Sequence, residues 1–458
     1  MRFAPNAICI TAFSIVCIAS STIAGHRARG SFLLRSRSEA TDIDSSSWPA
    51  ADVTLPVRHG ARDGLDGRKR ALPADDPFYA PPAGFGLLKP GTIIRQRQVT
   101  ITNLANNTPQ VKAYQMLYRT TAANTSTPIA TVTTLIVPSS ADGSKLVEYP
   151  LAEDAVSSQC ATSYSLTRAG TQSELGSITS LLSQGWLVST SDYEGPSSAF
   201  GAGRLAGHGV LDSIRAVLKL KCNGFAGVAP GVKVAISGYS GGAIAAGWAA
   251  SLAPTYAPEI PLIGVALGGT PVNVSQVLAN VDGGQYAGLG LAGLAGLVRA
   301  YKSVEDLVTR IATKQGQASL AVATQACTAE VVGRFMYQKI LSSNFSSLGS
   351  SLLADSTVVK ISNENVLGQV KSETPTVPIF MHHSNTDDVI PVSGADQLAQ
   401  NWCNNGIRSI VYEKNLGTSN HMTQAVLGFP KVMQFLSNRF AGQPYSGGCQ
   451  YRYTVFPS

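Results

Sequence analysis

The sequence predicts an α/β fold: a mainly parallel sheet with helices on both faces and a helical cap, or lid, inserted toward the C-terminal half. Three features of the chain point to it. From residue 145 to 270, short runs rich in β-branched residues alternate with segments whose apolar residues recur at helical spacing. One such run, "KVAIS", ends in Gly238-Tyr239-Ser240-Gly241-Gly242 and passes straight into the small-residue segment "AIAAGWAASL". From about 272 to 372 the alternation stops, helix-like stretches take over, and strands resume at "VPIFMHHS".

The elements follow in order. The chain opens on "MRFAPNAICITAFSIVCIASSTIAG", with one arginine, an apolar run from about Ala7 to Ala19, and small residues at Thr22-Ile23-Ala24. This reads as a secretory signal over residues 1–24, too short and wrongly flanked for a membrane span. Residues 25–70 are polar and aperiodic and end in Gly67-Arg68-Lys69-Arg70. That dibasic end reads as a processing site, so a propeptide is expected over 25–70 and the catalytic domain over 71–458. "TIIRQRQVTI", "QVKAYQMLYRTT" and "IATVTTLIVP" are strands by their β-branched and aromatic content, an antiparallel start to the sheet. The strands "KLVEYP", "WLVSTSD", "KVAISGYS" and "PLIGVALGG" then alternate with the helices "GHGVLDSIRAVLKL" and "GGAIAAGWAASL", the pattern of a parallel sheet.

Within the inserted block, "VEDLVTRIATKQG" and "SLAVATQACTAEVVGRFMYQKIL" read as helices. "YAGLGLAGLAGLV" reads as a buried helix packed closely through Gly and Ala; its 13 residues cannot cross a bilayer. Beyond the block come a strand at "VPIFMHHS", a helix at "ADQLAQNWC", a strand at "RSIVYEK" and a helix at "KVMQFLSNRF".

The 458 residues are 44% hydrophobic and 14% charged, ample for a large core. The net charge of +7 is uneven: residues 1–70 hold ten Lys/Arg against six Asp/Glu. No basic cluster carries interleaved aromatics, so nucleic-acid binding is not expected. Beyond Cys9 and Cys17 of the signal segment stand Cys160, Cys222, Cys327, Cys403 and Cys449. Secretion permits disulfides, and an odd count leaves one thiol over. Sequons at Asn106, Asn124, Asn273 and Asn344 suit the same compartment.

A serine hydroxyl is a weak nucleophile until a base takes its proton, and it must be presented to substrate. A Gly-x-Ser-x-Gly turn between strand and helix presents it at the apex of a strained bend. In that setting Ser240 reads as the nucleophile, against the alternative of a solvated serine in a glycine-rich loop. The architecture that uses this turn orders its residues Ser, acid, His. Four histidines lie beyond residue 70. His208 precedes the serine, and His382 and His383 lie inside a strand. His421, on an expected loop in "LGTSNHMT", is the candidate base. Asp387 and Asp388, just after the strand "VPIFMHHS", are the candidate acids, the unused one facing solvent or capping the turn before Pro391. Gly241 supplies one oxyanion N–H, and the loop "YPLAEDAVSSQC" is the candidate source of a second.

Six stretches together, "DDPFYAPP", "YPLAEDAVSSQCATSYS", "SDYEGPSSAFGAG", "GYSGG", "YAPEIPLIGVALGGTPVN" and "NTDDVIP", resemble the fungal secretory lipase family from about Asp75 to Phe440. The resemblance implies an α/β-hydrolase fold with a helical cap. It also implies Ser240 as nucleophile, Asp387 as acid, His421 as base, and Asp154 and Gly241 as oxyanion donors. It implies pairing of Cys160 with Cys327 and of Cys403 with Cys449, leaving Cys222 free, and no metal or organic cofactor. The implied activity is hydrolysis of carboxylic esters, above all acylglycerols at an oil–water interface, by a secreted monomer. A carboxylesterase on shorter or soluble esters is the alternative, and a non-catalytic binding protein a more distant one. One member of the family that the chain resembles carries a longer C-terminal segment that contributes a flap over the active site; this chain ends nine residues after Cys449, so that flap is expected to be missing. The acyl chain is then expected to lie against residues 272–372, through Leu289, Leu291, Leu294 and Leu297.

Overall fold

The computed structural model describes residues 71–456 other than 103, 105–109, 169–173, 221–224 and 226. The expected signal segment, the propeptide, Cys222 and the sequon at Asn106 lie outside the described residues.

Three strands come first: β1 (Ile93–Val99), β2 (Val111–Thr121) and β3 (Pro128–Pro138). They are followed by β4 (Lys145–Glu148), α1 (Thr162–Ser165), α2 (Leu175–Ser183), β5 (Leu187–Ser191) and α3 (Gly203–Lys219). Then come β6 (Lys233–Tyr239), α4 (Gly241–Tyr256) and β7 (Leu262–Gly268). Six helices separate β7 from the next strand: α5 (Val274–Val281), α6 (Ala287–Ala300), α7 (Lys302–Ile311), α8 (Lys314–Ala323), α9 (Thr328–Phe335) and α10 (Ser356–Glu364). The chain closes with β8 (Ile379–Ser384), α11 (Val392–Asn404), β9 (Ser409–Asn415), α12 (His421–Phe440) and β10 (Gly448–Thr454).

Among the described residues the ten strands form one sheet in the order β1-β2-β3-β5-β4-β6-β7-β8-β9-β10. The pairings from β1 to β5 are antiparallel; those from β5 to β10 are parallel. Alternate side chains on each strand enter different layers, as the two-residue period of a strand requires. Val234, Ile236, Val265, Leu267, Ile379 and Met381 pack with α3, α4 and α11. Ala235, Ala266 and Phe380 point the other way, toward α2 and α12. Both faces are therefore covered, which is why these strands read as unbroken apolar runs.

Four features differ from the sequence expectation. The segment "VEDLVTRIATKQG" is two helices: α7 stops at Ile311, Ala312 pairs with Ser346, and the Thr313 hydroxyl caps α8 by accepting the Gly316 N–H at 3.0 Å. "SLAVATQACTAEVVGRFMYQKIL" likewise breaks around Cys327 and ends at Phe335, two residues before Tyr337, whose φ is 62°. The last helix starts ten residues earlier than its periodicity indicates, because burial of Gln424, Gly428, Val432 and Leu436 along one side outweighs the helix-breaking tendencies of Gly428 and Pro430. β10 has no clear signature in the sequence. It is an edge strand, mostly exposed, held to β9 by register from Gly448–Ser409 to Thr454–Asn415.

Candidate active site

The sheet order decides where a site forms. β4 and β6 lie side by side, yet the chain leaves β4 toward β5 on one side and β6 toward β7 on the other. Such a reversal opens a crevice at the carboxyl ends of the two strands. The loop after β4 carries Asp154 and the turn after β6 carries Ser240, so these residues meet there.

Ser240 is held at φ 53° and ψ −124° between β6 and α4. Its N–H donates to the Gly268 carbonyl of β7 at 3.0 Å, and its own carbonyl accepts from Ala243 N–H at 2.8 Å. A Cβ at Gly238 would run into the Gly242 carbonyl, and one at Gly241 into the Asp154 carboxyl. Close approach therefore requires glycine at both. The positive end of α4, a helix of 16 residues, lies at the serine.

Ser240 Oγ is 2.8 Å from His421 Nε2, and His421 Nδ1 is 2.7 Å from Asp387 Oδ2. Asp387 Oδ1 accepts the N–H groups of Val389 at 3.0 Å and Ile390 at 2.7 Å. Burial alone would raise the Asp387 carboxyl; the hydrogen bond and charge of His421, with His383 and the Ile390 N–H, outweigh it and hold the group below its ordinary value. As an anion Asp387 only accepts, so His421 Nδ1 carries the hydrogen and Nε2 offers its lone pair to the serine hydroxyl.

His421 is the first residue of α12, not a loop residue as its sequence context indicates. Its placement depends on two neighbours that the sequence reading missed. Asp388 Oδ1 accepts the His421 N–H at 3.0 Å; this aspartate is exposed, as expected, but it holds the start of α12 rather than capping its own turn. The Tyr239 hydroxyl donates to the His421 carbonyl at 2.6 Å, and the two rings pack with centroids 5.0 Å apart. Tyr239 occupies a variable position of the Gly-x-Ser-x-Gly turn, which carries no signal by itself.

Asp154 sits at φ 49°, is 7% exposed, and has Oδ1 without a partner among the described residues. Burial pushes its carboxyl up to about 6, with His421 opposing. Behind it lie Glu153 and Glu194, both raised well above their ordinary value by burial and by neighbouring carboxyls. The Thr328 hydroxyl, at the start of α9, donates to the Glu153 carbonyl at 2.5 Å and approaches that of Asp154 at 3.2 Å. Cys327, one residue before, is bonded to Cys160. The loop after β4 is thus tied to the helical block beside the site. Cys403 and Cys449 are bonded as well, joining α11 to β10.

Ser240, Gly241 and Asp154 line part of an apolar pocket. Its remaining walls include Leu278, Leu289, Leu294 and Leu297 of α5 and α6, Val358 and Ile361 of α10, and Val389 and Ile390 beside the acid. Leu291 does not line it. Only 1% exposed, it turns into the helical block and borders a second, smaller pocket that shares Leu294 and Leu352 with the first. Among the described residues no helix is long and apolar enough to cross a membrane.

The chain is similar to known proteins. The family model described as secretory lipase matches residues 161–448. The secreted triacylglycerol lipase LIP3 of Malassezia restricta is 37% identical over 400 residues, covering 85% of this chain and 84% of that protein. The secreted triacylglycerol lipase LIP2 of Malassezia furfur is 37% identical over 410 residues, covering 88% and 85%. Candida antarctica lipase A in its closed state superposes with a TM-score of 0.75 at 29% identity, over 84% of this chain and 91% of that one. The cell-wall-degrading esterase LipA of Xanthomonas oryzae shares the fold, with a TM-score of 0.55 at 16% identity over 77% and 97%. The α/β-hydrolase architecture, the strand-turn-helix around Ser240 and the extent of these matches lead to one assignment: this chain belongs to the secretory lipase family.

Proposed function

We propose that this protein is a secreted triacylglycerol lipase whose catalytic triad is Ser240, His421 and Asp387. The observation that carries the reading is the hydrogen-bonded line from Asp387 through His421 to Ser240, ending at the wall of a deep apolar cavity. An ester whose acyl chain enters the cavity brings its carbonyl carbon to Ser240 Oγ. His421 Nε2 takes the hydroxyl proton as Oγ attacks, and Asp387 stabilises the resulting imidazolium. The backbone N–H groups of Asp154 and Gly241 receive the oxyanion at the positive end of α4. His421 returns the proton to the departing glycerol oxygen, leaving an acyl-Ser240 ester. Water, deprotonated by His421, cleaves that ester and releases the fatty acid. Each methylene buried in an apolar cavity contributes about 0.8 kcal/mol, which favours long acyl chains. Such substrates collect at an oil–water interface, where the enzyme works as a monomer.

The test compares purified mature protein on emulsified triolein and on a soluble butyrate ester, alongside labelling by a fluorophosphonate. Labelling that disappears in Ser240→Ala and faster turnover of the emulsion are expected. Preference for the soluble ester would make the protein a carboxylesterase. Absence of labelling would overturn the hydrolase reading.

A further inference from the structure

His383 is a buried imidazole with no part in the steps above. It lies on β8, one residue before the strand's end, and is 1% exposed. Its Nε2 is 3.1 Å from the Ile390 carbonyl and 3.4 Å from Asp387 Oδ2. Both are acceptors, so Nε2 must carry the hydrogen. Nδ1 has no partner among the described residues. Burial holds the ring toward its neutral form, opposed by Asp387 and the Ile390 carbonyl. A bare ring nitrogen in a dry interior is unfavourable, and the neighbouring strand residues Ile379, Phe380 and Met381 show what an unconstrained position there would hold.

The contacts close a ring. Asp387 Oδ1 accepts the Ile390 N–H, the Ile390 carbonyl accepts from His383, and His383 Nε2 also faces Asp387 Oδ2. The backbone of one residue, Ile390, is thereby bracketed between the acid and a side chain on a fixed strand. We propose that His383 is a positioning residue for the triad acid: from the end of β8 its Nε2–H braces the turn 387–390 so that Asp387 Oδ2 stays aimed at His421 Nδ1. This rests on the reading of Asp387 as the acid. The charged and titratable groups that face His383 are Asp387 from that turn, His421 from α12, Asp396 from α11 and His382 on its own strand.

The test measures kcat, KM and the pH dependence of kcat/KM on a soluble butyrate ester for His383→Phe, His383→Gln, Asp387→Asn and the double variant His383→Phe/Asp387→Asn. His383→Phe should lower kcat about 10- to 100-fold, the scale of loss from a misplaced reacting group, with KM unchanged. The acid limb of its profile should move, because Asp387 Oδ2 no longer stays aimed at His421 Nδ1. Gln, whose amide reaches the same acceptors, should restore most of kcat and the limb. In the Asp387→Asn background His383→Phe should cost nothing more. A folded His383→Phe with wild-type kcat and an unmoved limb overturns the proposal, as does an undiminished loss in the Asp387→Asn background. Should the Phe variant not fold, His383→Asn, too short to reach Asp387, is read in the same way. Failure of the triad reading looks different: Asp387→Asn alone would then retain wild-type turnover.

Discussion

The hydroxyl of Thr328 stands 3.2 Å from the carbonyl oxygen of Asp154, although 174 positions separate the two in the chain. It reaches the Glu153 carbonyl as well, and the Cys160–Cys327 bond anchors the same two segments. The helical block therefore supports the loop that carries one proposed oxyanion donor. Thr328→Val keeps the shape of the side chain and removes the donor. It is expected to lower kcat by about tenfold, a fraction of the roughly 10²–10³ lost when an oxyanion donor is removed outright, with little change in KM. Steady-state kinetics on a soluble ester decide this; an unchanged kcat would mean the disulfide alone holds the loop.

The two adjacent aspartates make different contacts, and their amides should behave differently. Asp387→Asn removes the anion facing His421 Nδ1 and is expected to cost about 10⁴ in kcat, as loss of the acid does in other triads. Asp388→Asn keeps an oxygen able to accept the His421 N–H and is expected to stay within a few-fold of the parent. A greater loss in the Asp388 variant would reverse the assignment.

The cavity walls separate two leucines that look equivalent in the sequence. Leu294 lines the cavity adjoining Ser240, so Leu294→Trp should shift hydrolysis toward shorter acyl chains and leave acetyl esters nearly unaffected. Leu291 packs inside the block with Ala323, Val331 and Phe335. Leu291→Trp should overpack that core, costing about 1–3 kcal/mol and lowering Tm, without moving the chain-length profile. A chain-length series and a melting curve on both variants test the pair together.

Buried carboxyls give the fold a pH dependence of definite sign. Burial raises Glu148 from 4.5 to about 7 against the hydroxyls of Ser189, Ser191 and Ser213, and raises Glu174 from 4.5 to about 7 against the Ala152 N–H. Asp154 rises from 3.8 to about 6. Each binds its proton more tightly folded than unfolded. The stabilisation is therefore complete below the ordinary values and is lost as pH climbs through about 6 to 7. Urea unfolding with disulfides intact should show a higher midpoint at about pH 5 than at about pH 8. A midpoint that rises over this range would mean that the buried histidines His208 and His382, lowered to about 4 and about 3 and opposite in sign, outweigh these carboxyls.

Much of this protein is legible in one dimension. The alternation from residue 145 to 270 specifies a covered parallel sheet, because strands buried on both faces must be apolar throughout. Gly238 and Gly242 around Ser240 are legible because backbone approaches backbone so closely there that a Cβ has no room. The Ser, Asp, His order is legible because chemistry limits which residue types can serve. Other features had no sequence signal. His421 begins a helix because tertiary burial carries α12 through Gly428 and Pro430. Asp388 supports that helix start, and Tyr239 supports it from a position where the motif accepts any residue. Leu291 and Leu294 are three apart on one helix, and their different surroundings depend on which neighbouring helix each one meets. His383 braces the acid from within a strand, where a histidine reads as core. Local sequence determines what a short segment prefers, since propensity and period act over a few residues. Contacts across 34 or 174 positions, such as His421 with Asp387 and Thr328 with Asp154, exist only once the strands have taken their order in the sheet and the block has docked on it.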